Sequence, residues 1–167
     1  MKLEEEIIKK RDCNRLMGLD EKETESVLIK LLYDYLYKKP VETMNSNQRD
    51  LFLLMTLEDH CQADGLDSLS DDEELFFLMP DTYKALLRIN APKTAEALKE
   101  FIDMLPEGCL KEREIPDWEE WFMDEHNSEK IAEIDGIISS YPDGLMRTLY
   151  TSFIKDNVDF AKDILDV

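Results

Sequence analysis

The sequence predicts an all-α protein, and two observations support this prediction. Apolar residues recur at helical spacing along most of the chain, as at Val27, Leu28, Leu31 and Leu32, and such a face is typical of an amphipathic helix. No alternating apolar and polar run is long enough to require a strand. Because one domain is the usual organisation for a chain of this length, we expect residues 1–167 to form a single-domain bundle of about seven to eight helices.

Capping residues, prolines and glycines predict where the helices in the first half begin and end. The helix that carries Val27 and Leu31 is expected to stop before Pro40. A second helix begins near Asn47, an N-cap residue type, and Gly65 is its predicted end. The residues Ser70-Asp71-Asp72-Glu73 match a capping box before an apolar segment.

Prolines divide the second half in the same way. Pro80 and Pro92 are expected in the first turns of two helices. Residues 107–116 resemble a surface loop, and Pro116 is expected to open a helix with aromatic residues. A turn is predicted at 141–144, where the sequence is Tyr-Pro-Asp-Gly. The helical pattern continues over about residues 131–138, and a final helical region is predicted over about residues 145–165.

The charge of the chain restricts the kinds of partner that it can have. It contains 39 acidic and 20 basic residues, so its formal net charge is −19, while 43% of its residues are apolar. The apolar fraction is that of a folded domain and argues against a disordered acidic tail. A strongly negative surface repels phosphates and anionic lipids and attracts basic proteins. We therefore expect no direct binding to nucleic acid and no association with membranes.

The acidic residues are concentrated in two segments. The first acidic tract, residues 50–83, has ten carboxylates and no Lys or Arg, and the second acidic tract, residues 114–129, has seven carboxylates and again no Lys or Arg. A helix rises about 5.4 Å per turn, so one or two carboxylates per turn can match the spacing of roughly 3.4 Å between phosphates along one DNA strand. The predicted partner-binding residues are Asp64, Asp67, Asp71, Asp72, Glu73 and Glu74, followed by Glu119, Glu120, Asp124 and Glu125.

No motif for nucleotide, metal or nucleophilic chemistry is present, so we expect no cofactor, no metal and no enzyme activity. His60 and Asp64 are four residues apart, which predicts a contact on a helix surface in preference to a metal site. The three cysteines have no ligand spacing, and the N-terminal residues are charged instead of apolar; reduced thiols and a cytoplasmic location are expected. Trp118 and Trp121 either pack in the core, or one of them anchors an interface.

A family resemblance strengthens the prediction of a binding role. An apolar helix, Leu51–Glu58, leads into Ala63–Leu69, and Leu86–Ala91 then precedes an Ala/Leu-rich helix. This arrangement resembles a bacterial domain family of mostly unknown function that includes the neisserial DNA-mimic protein. The family typically has Asn-Gly-Gly-Phe, of which this chain keeps Gly65, with Leu66 at the Phe position. The resemblance covers about residues 48–105, with a looser helical match that continues to the C-terminus.

The resemblance implies an all-helical fold without enzyme activity, a homodimer, and binding to a transcription factor through an acidic, DNA-like face. The leading hypothesis is an acidic protein-interaction module that mimics DNA and binds a basic DNA-binding protein. One alternative is a toxin-neutralising, immunity-type protein that blocks an enzyme. A third is an enzyme whose cleft is built from carboxylates.

Overall fold

The computed structural model describes residues 2–167 and contains only helices and connecting segments over that range, which confirms the all-α prediction. Eight of the eleven α-helices have seven residues or more. Short 3₁₀ segments lie at Leu36–Lys38, Val41–Thr43 and Leu66–Asp71, and a π-helical turn lies at Trp118–Phe122. The α-helices are α1 Leu3–Lys10, α2 Cys13–Gly18, α3 Glu21–Asp34, α4 Ser46–Ala63, α5 Glu73–Phe77, α6 Met79–Arg88, α7 Pro92–Met104, α8 Cys109–Glu112, α9 Glu125–Ser139, α10 Met146–Lys155 and α11 Val158–Ile164.

The chain forms two compact units, of which unit 1 contains the residues up to Phe52 together with Arg147–Val167. In this unit α1 packs on α3, and α2 packs on α11. Side chains from the start of α4 bind the C-terminal backbone: the side-chain amide of Gln48 donates to the carbonyl of Asp166 at 2.8 Å, and the buried hydroxyl of Tyr150 donates to the carbonyl of Asn47. These bonds join segments more than 100 residues apart in the chain.

Unit 2 contains residues Leu53–Met146 and all ten predicted partner-binding residues. Its helices α6, α7 and α9 pack together around fully buried side chains such as Leu86, Leu98 and Ile134. The carboxylate of Asp143 accepts hydrogen bonds from both the backbone N–H and the hydroxyl of Thr94, at 2.8 and 3.0 Å. Asp143 therefore satisfies a donor at the N-terminus of α7 that the helix itself cannot pair.

Two predicted capping residues are wrong by two positions. The second predicted helix is capped by Asn45 and not by Asn47, because Asn45 accepts from the N–H of Gln48 at 3.0 Å while the Gln48 side chain bonds the Asn45 N–H. Likewise the capping residue of α5 is Asp72, which accepts from the N–H of Leu75, and not Ser70. In both cases neighbouring residues are also of capping type, so the sequence alone offers more than one cap.

The glycine that was predicted to end the second helix has a conformational role. Gly65 follows the end of α4 with φ of +91°, a region that residues with a Cβ rarely adopt. Asn90, between α6 and α7, has φ of +60°, and asparagine is among the few residues that tolerate this geometry. The turns after α4 and α6 thus each depend on one residue.

Candidate partner-binding face

The predicted residues of the first acidic tract lie on a short connection between α4 and α5. Asp64 is exposed just after α4, Asp67 is half-buried in the 3₁₀ segment, and Asp71 is exposed at the end of that segment. Glu73 and Glu74 are exposed in the first turn of α5, where the helix dipole favours negative charge. Six carboxylates therefore follow a path of eleven residues, Asp64–Glu74.

A side-chain network fixes the shape of this connection. The ring Nδ1 of His60 lies 2.8 Å from the hydroxyl oxygen of Ser68, and the ring Nε2 lies 3.5 Å from the Asp72 carboxylate. The expected contact of His60 with Asp64 is thus replaced by contacts with Ser68 and Asp72. The Ser68 hydroxyl donates to the carbonyl of Gly65 at 2.6 Å, so its oxygen is left to accept from Nδ1. With its proton committed to a carbonyl and its side chain buried, Ser68 is arranged for structure and not for nucleophilic attack.

The second acidic tract forms the entry to α9. Glu119 and Glu120 are exposed on the π-helical turn. Asp124 caps α9, since its carboxylate accepts from the backbone N–H groups of His126 and Asn127 at 3.1 and 3.2 Å, and Glu125 begins the helix. The structure gives these four residues the same kind of environment as Asp71–Glu74: exposed acids beside a carboxylate cap.

One groove brings residues of the two tracts together. Its volume is about 220 Å³, and its walls come from the connection after α4, the π-helical turn and residues 128–135 of α9. A larger depression of about 620 Å³ lies at residues 102–112 and contains none of the predicted residues. Of the ten predicted residues, Asp64 and Asp67 line the groove and the other eight do not. It is lined by Asp64, Gly65, Leu66, Asp67, Trp118, Phe122, Met123, Ser128, Ile131, Ala132 and Asp135.

Asp135 of α9 connects the two walls of this groove. Its Oδ1 accepts a hydrogen bond from the backbone N–H of Leu66 at 2.9 Å. Burial raises the pKa of the Asp135 carboxyl, the hydrogen bond from Leu66 lowers it, and the nearby charge of Asp67 raises it; the net shift is upward. A carboxylate whose charged form is disfavoured in the free protein gains from a cation that binds beside it.

Most of the predicted carboxylates have no cationic neighbour of their own. Among residues 2–167, no Lys or Arg forms an ion pair with any of the ten, and His60 contacts Asp72 alone of the set. The ion pairs that do form lie elsewhere, for example Glu5 with Lys9 and Glu100 with Lys130. The negative charge of this face is therefore directed to solvent and is not neutralised within the chain.

The aromatic residues of the π-helical turn divide between core and surface. Phe122 is buried, and the ring of Trp121 meets it edge-on at 4.7 Å. Trp118 stacks on Phe122 at 5.0 Å with an interplanar angle of 22°, yet 43% of Trp118 stays exposed. Trp121 is half-buried against Phe122, while Trp118 has the exposure that an interface anchor needs.

The sequence analysis did not identify Asp135 as a site residue. The one pattern that could have indicated it is an acidic residue beside the apolar positions Ile131 and Ile134 of α9. Its partner Leu66 is 69 residues away, a distance that local patterns cannot bridge. Met123, 61% exposed at the groove, was also missed.

Within the described residues, no three His, Cys, Asp or Glu side chains gather in a way that would hold a metal ion. Over the same range, every helix is too short or too polar to cross a bilayer.

Fold and site together define an acidic all-α protein with an aromatic groove between two carboxylate-rich segments. The family model described as DMP19-like protein matches residues 42–157. This range is more than half of the chain, so the protein belongs to the DMP19-like family, as the resemblance predicted. The match contains the predicted core of 48–105 and continues to residue 157, through the second acidic tract. Comparisons with curated proteins and with solved structures give no match.

Proposed function

We propose that this protein binds a basic, DNA-binding protein, such as a transcription factor, and that it does so by presenting carboxylates in place of DNA phosphates. The observation that carries the proposal is the groove, whose walls join the two acidic tracts in unit 2. The predicted carboxylates of the two tracts have no Lys or Arg partner among residues 2–167. Membership of the DMP19-like family supports the same role.

The charge arrangement fits recognition better than chemistry. The net charge of −19 would attract a basic surface over a distance of about one Debye length, roughly 8–10 Å at physiological salt. Acid–base catalysis would instead need two carboxyl groups with opposed environments around a substrate cleft. The proposed role needs no catalysis and no cofactor. It is that of a cytoplasmic protein, and a homodimer would present two such faces.

A capture experiment tests the proposal with a charge-neutralised variant. The combined substitution of Asp71→Asn, Asp72→Asn, Glu73→Gln and Glu74→Gln removes four charges, while Asn at position 72 keeps a capping side chain. The wild-type protein, used as bait in an extract of the source organism, is expected to retain a DNA-binding protein that the variant retains poorly. When binding to the purified partner is measured, the substitutions should lower the association rate constant by a larger factor than they raise the dissociation rate constant.

The capture experiment includes a control for net charge and distinguishes the immunity-type alternative. Replacing four exposed acids of unit 1 by the matching amides changes the net charge equally and should affect capture less; these acids are Glu21, Glu23, Glu42 and Asp156. Retention of an enzyme whose activity is then blocked would favour the immunity-type alternative. Unchanged capture by the Asp71–Glu74 variant would contradict binding through this face.

A further inference from the structure

The groove between the two acidic tracts is built for more than general charge attraction. We propose that it binds one arginine side chain projecting from the basic partner, with the guanidinium against Trp118 and beside the carboxylate of Asp135. This inference rests on the proposed function and names the group on the partner that the acidic face recognises. It follows from the size, the charge and the aromatic wall of the groove.

The groove is smaller than most small-molecule sites. Small-molecule sites commonly measure about 300–1,000 Å³, whereas this groove measures about 220 Å³. One long side chain is a better match to that volume than a nucleotide or a cofactor. Such a side chain would arrive on a protein, which agrees with the exposed acidic surface around the opening.

The charge of the groove selects a cation. Three of its lining residues are aspartates, Asp64, Asp67 and Asp135, and none of its eleven lining residues is Lys, Arg or His. The Leu66 N–H occupies Oδ1 of Asp135, and Oδ2 accepts no hydrogen bond from residues 2–167. One carboxylate oxygen is thus held in position while the other remains available. Burial raises the pKa of this carboxyl, so an approaching cation would restore its charged form.

The aromatic wall distinguishes arginine from lysine. Phe122 covers one face of the Trp118 ring, and the exposure of 43% leaves other parts of the ring open. A planar guanidinium stacks on such a ring and can pair with a carboxylate through two parallel N–H groups. Met123, which is 61% exposed, supplies apolar surface for the methylene groups of the same side chain. Lysine could satisfy the charge but not the stacking.

Peptide titrations of the full chain, followed by NMR, test this assignment. The probe is acetyl-Gly-Gly-Arg-Gly-Gly-amide at near-physiological salt, compared with peptides carrying Lys, citrulline or norleucine at the central position. We expect saturable shifts of the Trp118 indole and the Leu66 amide with the Arg peptide. The Lys peptide should bind about threefold to tenfold more weakly, because it lacks the stacking contribution. Citrulline and norleucine should give no saturable shift.

Variants of the groove provide the second arm of the test. Asp135→Asn keeps an acceptor for the Leu66 N–H and should weaken binding of the Arg peptide about threefold to tenfold, as expected for loss of a partly buried charge pair. Trp118→Leu should weaken it by about threefold, read at the Leu66 amide. Glu42→Gln, at an exposed acid of unit 1, should leave binding unchanged and controls for net charge.

Several results would overturn the assignment. Equal shifts with norleucine would make the groove a general apolar site, and shifts confined to residues outside the groove would place the arginine elsewhere. Concentration-dependent shifts without any peptide would mean that a second copy of the chain occupies the groove. The peptide titrations do not involve a DNA-binding protein. A negative peptide result would therefore contradict the arginine site without contradicting DNA mimicry, and a negative result in competition with DNA would contradict DNA mimicry without contradicting the arginine site.

Discussion

Asp135 accepts a hydrogen bond from the backbone N–H of Leu66, a residue 69 positions earlier in the chain. This bond ties α9 to the connection that carries the first acidic tract. Leu66 is fully buried, so its N–H has no ready replacement partner in water. A single carboxylate therefore supports the loop and also contributes negative charge to the groove.

Replacing Asp135 separates these two contributions. Asp135→Ala leaves the buried Leu66 N–H unsatisfied and should lower the free energy of unfolding by about 1–2 kcal/mol. Asp135→Asn retains an acceptor and removes a charge that burial disfavours. Because the folded-state pKa of Asp135 is raised, the wild type should lose stability relative to the Asn variant as pH rises through that pKa, and the difference should vanish in acid.

Urea unfolding of the three proteins at several pH values measures this. Equal stability of the Ala and Asn variants would show that the hydrogen bond contributes nothing. A wild type that gains on the Asn variant with rising pH would mean that the Asp135 charge is favoured in the fold, contrary to the direction of the pKa shift.

The cap of α5 offers a second local test. Asp72 accepts from the N–H of Leu75 at 3.0 Å, and loss of such a cap typically costs about 1 kcal/mol. Asp72→Ala should therefore destabilise the protein by about that amount, whereas Asp72→Asn should be nearly neutral. Thermal unfolding of both variants checks this. If Asp72→Asn destabilised the protein as much as Asp72→Ala, the negative charge of Asp72 beside His60 would contribute more to stability than the capping hydrogen bond.

The three thiols should differ in reactivity. Burial raises the pKa of the Cys61 thiol to about 12, and burial also raises the pKa of the Cys109 thiol. Since the thiolate is the nucleophile, neither should react quickly in the folded protein, whereas the half-buried Cys13 should. Titration with a thiol-specific disulfide reagent in mild alkali is expected to show one fast thiol that Cys13→Ser removes. A fast phase that persists in Cys13→Ser would contradict the burial of the other two.

Salt should stabilise the folded chain. A net charge of −19 generates repulsion that added ions screen, while exposed ion pairs such as Glu5–Lys9 are individually worth only about 0–1 kcal/mol. The melting temperature should therefore rise between low and near-physiological sodium chloride. A melting temperature that falls over this range would show that attractive pairs outweigh the repulsion.

Sequence patterns predict the fold better than the site. Helical spacing locates α3, α4 and α7, because each buries an apolar face. The same patterns gave no prediction for α1 and α2, and they predict a loop at residues 107–116, which contain α8. These three helices have eight residues or fewer, so they offer too few periods to be recognised.

The acidic tracts could be predicted because charged residues can be counted directly in the sequence. That both tracts contribute residues to one groove could not be predicted. That relation depends on the Leu66–Asp135 bond and on the π-helical turn, which exposes Trp118 while burying Phe122. Long-range pairing and an irregular turn are set by tertiary packing, so local patterns could not supply them.

Competition with DNA tests the central claim most directly. A labelled DNA duplex bound to the captured partner is titrated with this protein, and release of the duplex is followed by fluorescence anisotropy. If the acidic face imitates phosphates, the protein should displace the duplex completely, and the Asp71–Glu74 variant should require a higher concentration. The affinity of the wild-type protein for the partner should fall steeply as the salt concentration rises. A complex in which the partner holds both the duplex and this protein would contradict DNA mimicry.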